Sequence, residues 1–214
     1  MSLRRLVPLS GIVFVVLALI AVVAFGGSTP GSDAPGAKLL SFYDEHTVRQ
    51  GVAAFFLAAS VPFLVAFGAS LTTTLWPREP DRRPIWQIVL IGGSVLTGAV
   101  LLVVALIHFA LADGGQQGIS GDGLQALNVL DNNFWLPFNS ALGVMMLGAA
   151  GSLLEAVREY RWLGWVALVL GIALFIPAAD FFAMLLTLIW ILVASIILFR
   201  ERLNVAHAVL PAPA

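Results

Sequence analysis

The residues best suited to acid–base or hydrogen-bonding chemistry sit in two short segments and at one isolated position. Tyr43, Asp44, Glu45, His46 and Arg49 fall within two helical turns; Glu45 and Arg49 are spaced i, i+4, and Tyr43 and His46 i, i+3, so each pair shares a helix face. Asn128, Asp131, Asn132, Trp135 and Asn139 recur at helical spacing and form one polar stripe. His108 stands alone between them, inside an apolar run, on the face that also carries Ser94 and Thr97. An imidazole, carboxylates, amides and a guanidinium converging on one place would bind and orient a polar ligand. The candidate ligand-binding set is therefore Tyr43, His46, Arg49, His108, Asn128, Asp131, Asn132, Trp135 and Asn139. The plainer account of the first segment is a solvated interfacial helix, and of the amides hydrogen bonding between helices.

Several chemistries lack their residues. His46, His108, Asp131 and Asp180 would supply metal ligands, but no His-x-x-His or Glu-x-x-His spacing supports a metal. The chain has no cysteine, which removes thiolate nucleophiles, iron–sulfur ligation and disulfides. Gly-x-Ser-x-Gly does not occur, and no Gly-Lys-Ser/Thr follows a glycine loop. No catalytic residue, metal or cofactor is thus expected, and no nucleic-acid partner.

The elements that would position these residues follow from composition. Hydrophobic residues make up 60% of the 214 and charged ones 11%, far from the roughly 25% charge of a soluble domain. A bilayer core about 30 Å thick needs about 20 apolar residues in a helix. The uncharged runs predict an all-α, polytopic membrane bundle forming a single domain over 1–214. Its six spans are placed at about 6–26, 51–76, 86–112, 134–157, 163–176 and 181–199. The last two divide one long apolar stretch at Pro177 and Asp180, with Asp180 expected to cap the final helix. The first run is longer than a signal-peptide core and shows no small-x-small cleavage site, so it reads as a retained signal-anchor.

Charge sets the orientation. Nine of the eleven basic residues (Arg4, Arg5, Arg78, Arg82, Arg83, Arg158, Arg161, Arg200 and Arg202) fall on one side of these spans, and only Lys38 and Arg49 on the other. Seven of the twelve acidic residues lie with the latter two. The positive-inside rule then puts both termini, and the 203–214 tail, in the cytoplasm. Trp76, Trp86, Trp162 and Trp165 mark the inner boundary and Trp135 the outer one.

Length and polarity are concentrated in two outer loops, 27–50 and 113–133, each of which starts Gly-rich and ends in a segment patterned as an interfacial amphipathic helix that runs into the next span. Leu39, Leu40 and Phe42 form the apolar face of one, Leu124, Leu127 and Leu130 that of the other. Gly36 to His46 and Gly123 to Asn133 share Gly, Leu and Asp at their first, fifth and ninth positions. That match is short enough for similar surface constraints to explain it without a duplication. Near the centre of the spans there is no Asp, Glu, Lys or Arg, which argues against a proton relay or voltage sensor. Small residues at Ser94 and Gly98, and at Gly148 and Ser152, suit close helix packing, and Pro62 is expected to kink the second span.

At Ser41 to Arg49 (SFYDEHTVR) and Ala126 to Phe138 (ALNVLDNNFWLPF) the chain resembles a family of small six-span bacterial integral membrane proteins of unknown function. The shared features are a Tyr-x-x-His segment before the second span and an Ala-Leu-Asn-x-Leu-Asp-Asn segment before the fourth. The resemblance covers about Arg5 to Arg200 and implies a multi-pass protein of the bacterial cytoplasmic membrane, with no activity attached. The expected function is a binding or accessory protein with an outward-facing polar pocket, floored by Asn139 and His108. The alternative is a small transporter or channel for a neutral or lipidic solute, with a polar route past Ser94 and Thr97. Membrane lipid is the expected partner, with self-association or a membrane partner protein left open.

Overall fold

A computed structural model describes residues 6–77, 83–156 and 159–208. Arg4, Arg5, Arg78, Arg82, Arg158 and the last residues of the tail, which entered the charge argument and the domain limits, lie outside the described residues. Among the described residues the chain is helical and contains no strand. The first apolar run, Val7–Gly26, begins with a 3-10 turn at Val7–Leu9, continues as α1 (Ser10–Leu19) and ends in a π-helical segment, Ile20–Gly26. Then follow α2 (Gly36–Thr74), α3 (Ile85–Gly114), α4 (Gly121–Asn132), α5 (Trp135–Ala156), α6 (Arg161–Ala173) and α7 (Asp180–Ala208). Five helical stretches are long and apolar enough to cross a membrane: Val7–Gly26, Gly36–Thr74, Ile85–Gly114, Gly121–Glu155 and Asp180–Arg200. Arg161–Ala173 is apolar but shorter.

The helices other than α4 pack in chain order, α1 on α2, α2 on α3, α3 on α5, α5 on α6 and α6 on α7, and α7 returns to α1 to close a ring. Close approaches give their directions. A Cβ on Gly68 would meet Ser94 and one on Gly98 would meet Val61, so α2 and α3 run antiparallel. At Gly93 and Gly148 the backbones of α3 and α5 touch, with a Cβ on Gly148 falling 2.3 Å from the Leu90 nitrogen and one on Gly93 2.4 Å from that of Met145. No side chain larger than hydrogen fits there, which is the small-residue packing that lipid-embedded helices use in place of a hydrophobic driving force. The main core draws Phe14, Leu64, Phe67, Leu90, Met145, Met146, Ile191 and others from all round the ring.

The second helix carries the expected run of the outer segment into the span as one element. It starts at Gly36, so the outer segment and the span are one helix of 39 residues, about 58 Å long and almost twice the apolar core of a bilayer. Its break lies at His46 (φ −115°, ψ 15°), where the outer portion meets the span. Pro62 lies within the helix. The outer portion of α2 and α4 do not turn their main apolar residues outward. Leu39, Tyr43, Leu111 and Leu124 form a second small core, with Leu40, Phe42 and Leu127 packed against it. Leu130 alone of the expected apolar set is exposed. At the N-terminal ends of α2 and α4 the backbones of Gly36 and Gly121 meet, a Cβ on Gly36 standing 2.6 Å from the Gly121 carbonyl. Ser120 caps α4, its Oγ accepting from the Gly123 N–H at 3.3 Å.

Candidate functional site

The centre of the α4 end of the bundle, the end expected to face outward, is His108, three-quarters of the way along α3. Its neighbours come from two other elements: Nδ1 is hydrogen-bonded with Asp131 Oδ2 of α4 at 3.0 Å, and the Nε2–H donates to Gln50 Oε1 of α2 at 2.8 Å. The Gln50 amide is oriented by its other end, because Nε2 donates to the Gly26 carbonyl at 3.0 Å and Oε1 must then face the imidazole. An oxygen thus stands within hydrogen-bonding distance of each ring nitrogen, so the imidazole is held from both sides. Asp131 is 9% exposed and is the only charged side chain buried among the described residues. An unpaired carboxylate in that place would be strongly disfavoured, and a partner ring at 3.0 Å answers it.

Why the chain reaches this arrangement is visible locally. The first apolar run ends in wide π turns, and Gly27 reverses the chain at φ +60° with its N–H on the Val22 carbonyl, 3.1 Å away. The terminal carbonyls of a helix need donors. Arg49 Nε supplies one to Phe25 O at 2.9 Å, and Gln50 supplies one to Gly26 O. Arg49 thus bonds Phe25 and forms no ion pair with Glu45, the i, i+4 partner expected for it. Beneath the loop lies a cavity of about 170 Å³, lined by Ala21, Val22, Gly26, Gly27, Thr29, Ala53, Ala54, Leu57, Val104 and Phe134 and closed at its polar side by His108 and Asp131.

The other candidate residues gather elsewhere. Asn128 and Asn132 hold the 27–35 loop down on α4: Asn128 Nδ2 donates to Gly31 O at 2.9 Å, and Asn132 Nδ2 to Pro30 O at 3.3 Å and Asn128 O at 2.9 Å. Tyr43 is wholly buried in the small outer core and its hydroxyl has no hydrogen-bond partner. Burial, and after it the negative charge of Asp131, raises the Tyr43 phenol well above its ordinary range. His46 donates from Nδ1 to Phe42 O at 2.9 Å and stacks on the Phe42 ring. With Arg49 it borders an open groove of about 610 Å³ that also takes in Asp44, Glu45 and Gln116. Asn139, expected beside His108 as the pocket floor, pairs instead with Asp180: its Nδ2 donates to Asp180 Oδ2 at 3.1 Å. Trp135 and Asn139 line a third crevice, of about 450 Å³, between the outer ends of α5 and α7.

Two residues outside the candidate set thus prove central. Gln50 completes the His108 bridge, and its only signal in the sequence is an amide at the threshold of an apolar run. Asp180 is the first residue of α7 rather than the residue before it; Oδ1 accepts from the Phe181 N–H at 2.9 Å while Oδ2 takes Asn139. Among the described residues no three His, Cys, Asp or Glu side chains come together as a metal site. No family model matches the chain, and neither a curated protein nor a solved structure matches it.

Proposed function

We propose that this chain is a multi-pass protein of the bacterial cytoplasmic membrane, crossing six times with both termini inside, that holds a membrane amphiphile at its outer face. The site is the cavity closed by His108 and Asp131, and the protein acts there as a binding or accessory component. The six crossings draw support from α6, which runs antiparallel along α5. A Cβ on Gly164 would meet Leu153 and Leu154, one on Gly171 would meet Leu147, and one on Gly143 would meet Phe175. The following residue Asp180 then sits beside Asn139, at the opposite end of α5 from Ala156. A 13-residue helix covers about 20 Å, and the turns from Leu174 to Ala179 complete the passage.

One observation carries the binding reading: an imidazole hydrogen-bonded on both sides, with Asp131 beside it, stands at one end of a cavity whose other lining side chains are apolar except Thr29. Such a site suits an acyl or isoprenoid segment with a neutral hydrogen-bonding head. The transport alternative draws less support, because Ser94 and Thr97 are fully buried and bond their own helix at Leu90 O and Gly93 O, 2.8 Å each.

The test uses the full chain in lipid vesicles with a diazirine-bearing monoacylglycerol as probe. Crosslinks are expected to concentrate on the peptides containing Ala21–Val22 and Ala53–Leu57 and to lose that excess in Ala54→Trp, which fills the cavity, and in His108→Ala. Equal labelling in wild type and both variants would overturn the reading.

A further inference from the structure

The geometry points to a second site, in the crevice between the outer ends of α5 and α7, that takes the primary ammonium group of an amphiphile. Its walls are Phe134, Trp135, Phe181 and Met184, and its polar end is the Asn139–Asp180 pair. Three features specify the ligand. Asp180 accepts from an amide and a backbone N–H at the start of α7, and among the described residues no cationic side chain pairs with it. Asn139 is 3% exposed, its donor end is committed to Asp180, and its Oδ1 has no partner, so a buried acceptor is unused. Aromatic faces complete the wall, and a ring face attracts a cation.

Carboxylate, amide oxygen and π-faces all accept, and what they jointly recognise is a cation that also donates N–H bonds. An anion drawn to the start of α7 would meet Asp180 already in that place. A quaternary ammonium would meet the charge and the rings but could not donate to Asn139. The apolar part of the ligand follows from the surroundings: Trp135 is 42% exposed and Phe181 58%, so the crevice opens on the apolar exterior and an alkyl chain leaves along it. This site shares the Phe134 wall with the His108 cavity but has its own polar groups, and either reading stands without the other.

An amino-headed phospholipid and a free amphipathic amine both present this group, and quenching of Trp135 fluorescence distinguishes them. The full chain is reconstituted in phosphatidylcholine nanodiscs and titrated with 12-bromododecylamine, 12-bromododecanol serving as the neutral control. The amine is expected to quench saturably, the alcohol not to saturate over the same range, and Trp135→Phe to remove the saturable component. Asp180→Asn raises the half-saturating amine concentration about tenfold, which corresponds to about 1.4 kcal/mol, and Met184→Trp, which fills the crevice and leaves Asp180 in place, abolishes saturation at a non-tryptophan readout, native mass spectrometry of the bound amine. Displacement of the amine by phosphatidylethanolamine identifies the lipid as the source; resistance to it identifies a free amine. Equal binding of amine and alcohol, or wild-type affinity in a folded Asp180→Asn protein, would overturn the proposal.

Discussion

Tyr43 shows how a residue's type misleads when its surroundings are unknown. Its phenol suggests a binding group, yet the side chain is wholly buried and its hydroxyl makes no hydrogen bond. A buried donor without a partner is a standing cost of about 1–3 kcal/mol, so Tyr43→Phe is expected to leave thermal stability in detergent unchanged or raise it. The ionisation of Tyr43 should show the same burial. Desolvation and the Asp131 charge both oppose the phenolate, so the folded protein keeps this proton beyond the usual phenol range of about 10. Below that range both folded and unfolded chains are protonated, and the group makes stability independent of pH. Above it the unfolded chain releases the proton first, and stability falls as pH rises. The chain has two tyrosines, so a Tyr160→Phe background isolates Tyr43; tyrosinate absorbance at 295 nm should then develop only on unfolding. A signal at ordinary alkaline pH in the folded protein would contradict the burial. Of the nine candidate side chains, His108 and Asp131 were paired by the fold although 23 residues separate them. Nothing in spacing could announce the third member, Gln50, because its role depends on which helix end it meets.

At the scale of elements, apolar run length located nearly every helix, since a 30 Å core leaves few ways to satisfy a backbone. It could not locate where α2 begins. Residues 36–50 read as an interfacial helix leading into the span, and what the sequence could not give is their packing, with Leu39 and Tyr43 set on Leu111 and Leu124. Helix ends follow a rule the sequence only hints at: amides from a neighbouring helix finish the carbonyls. Gln50 does this for Gly26, and Gln87 for Leu75 at 3.0 Å. The sharpest element-level requirement is the backbone contact of α3 with α5. Gly148→Leu would place a side chain where a Cβ already falls 2.3 Å from the Leu90 nitrogen, forcing two long helices apart. Overpacking in cores costs about 1–3 kcal/mol, occasionally more, and a clash with backbone belongs at the upper end. The melting temperature should drop sharply for Gly148→Leu but little for Gly92→Leu, whose added Cβ meets nothing within 4 Å. Equal effects at both positions would show that α3 and α5 do not touch as described.

The whole molecule poses a question of parity. Five helical stretches meet the length for crossing and Arg161–Ala173 falls short, so the fate of that one helix decides which side α7 ends on. Six crossings return Arg200 to the side of Arg83 and Glu159; five would leave it opposite. The ring favours six, because α7 starts beside Asn139 and closes against α1, with a Cβ on Gly11 meeting Ser195 and Ile191. A short helix can cross if the bilayer thins or its flanks reach the interface, each at modest cost, and Trp162 and Trp165, both more than half exposed, stand at the required end. The absence of cysteine makes the protein ready for single-cysteine labelling. In intact cells a membrane-impermeant maleimide should modify Asp122→Cys and Gln116→Cys, both in the outer connection, and should leave Arg83→Cys, Glu159→Cys and Arg200→Cys unmodified until the cells are opened. Labelling of Arg200→Cys from outside, with Arg83→Cys still protected, would reduce the crossings to five and reverse α7. The Asn139–Asp180 contact could not then survive, because the two residues would lie at opposite faces of the membrane.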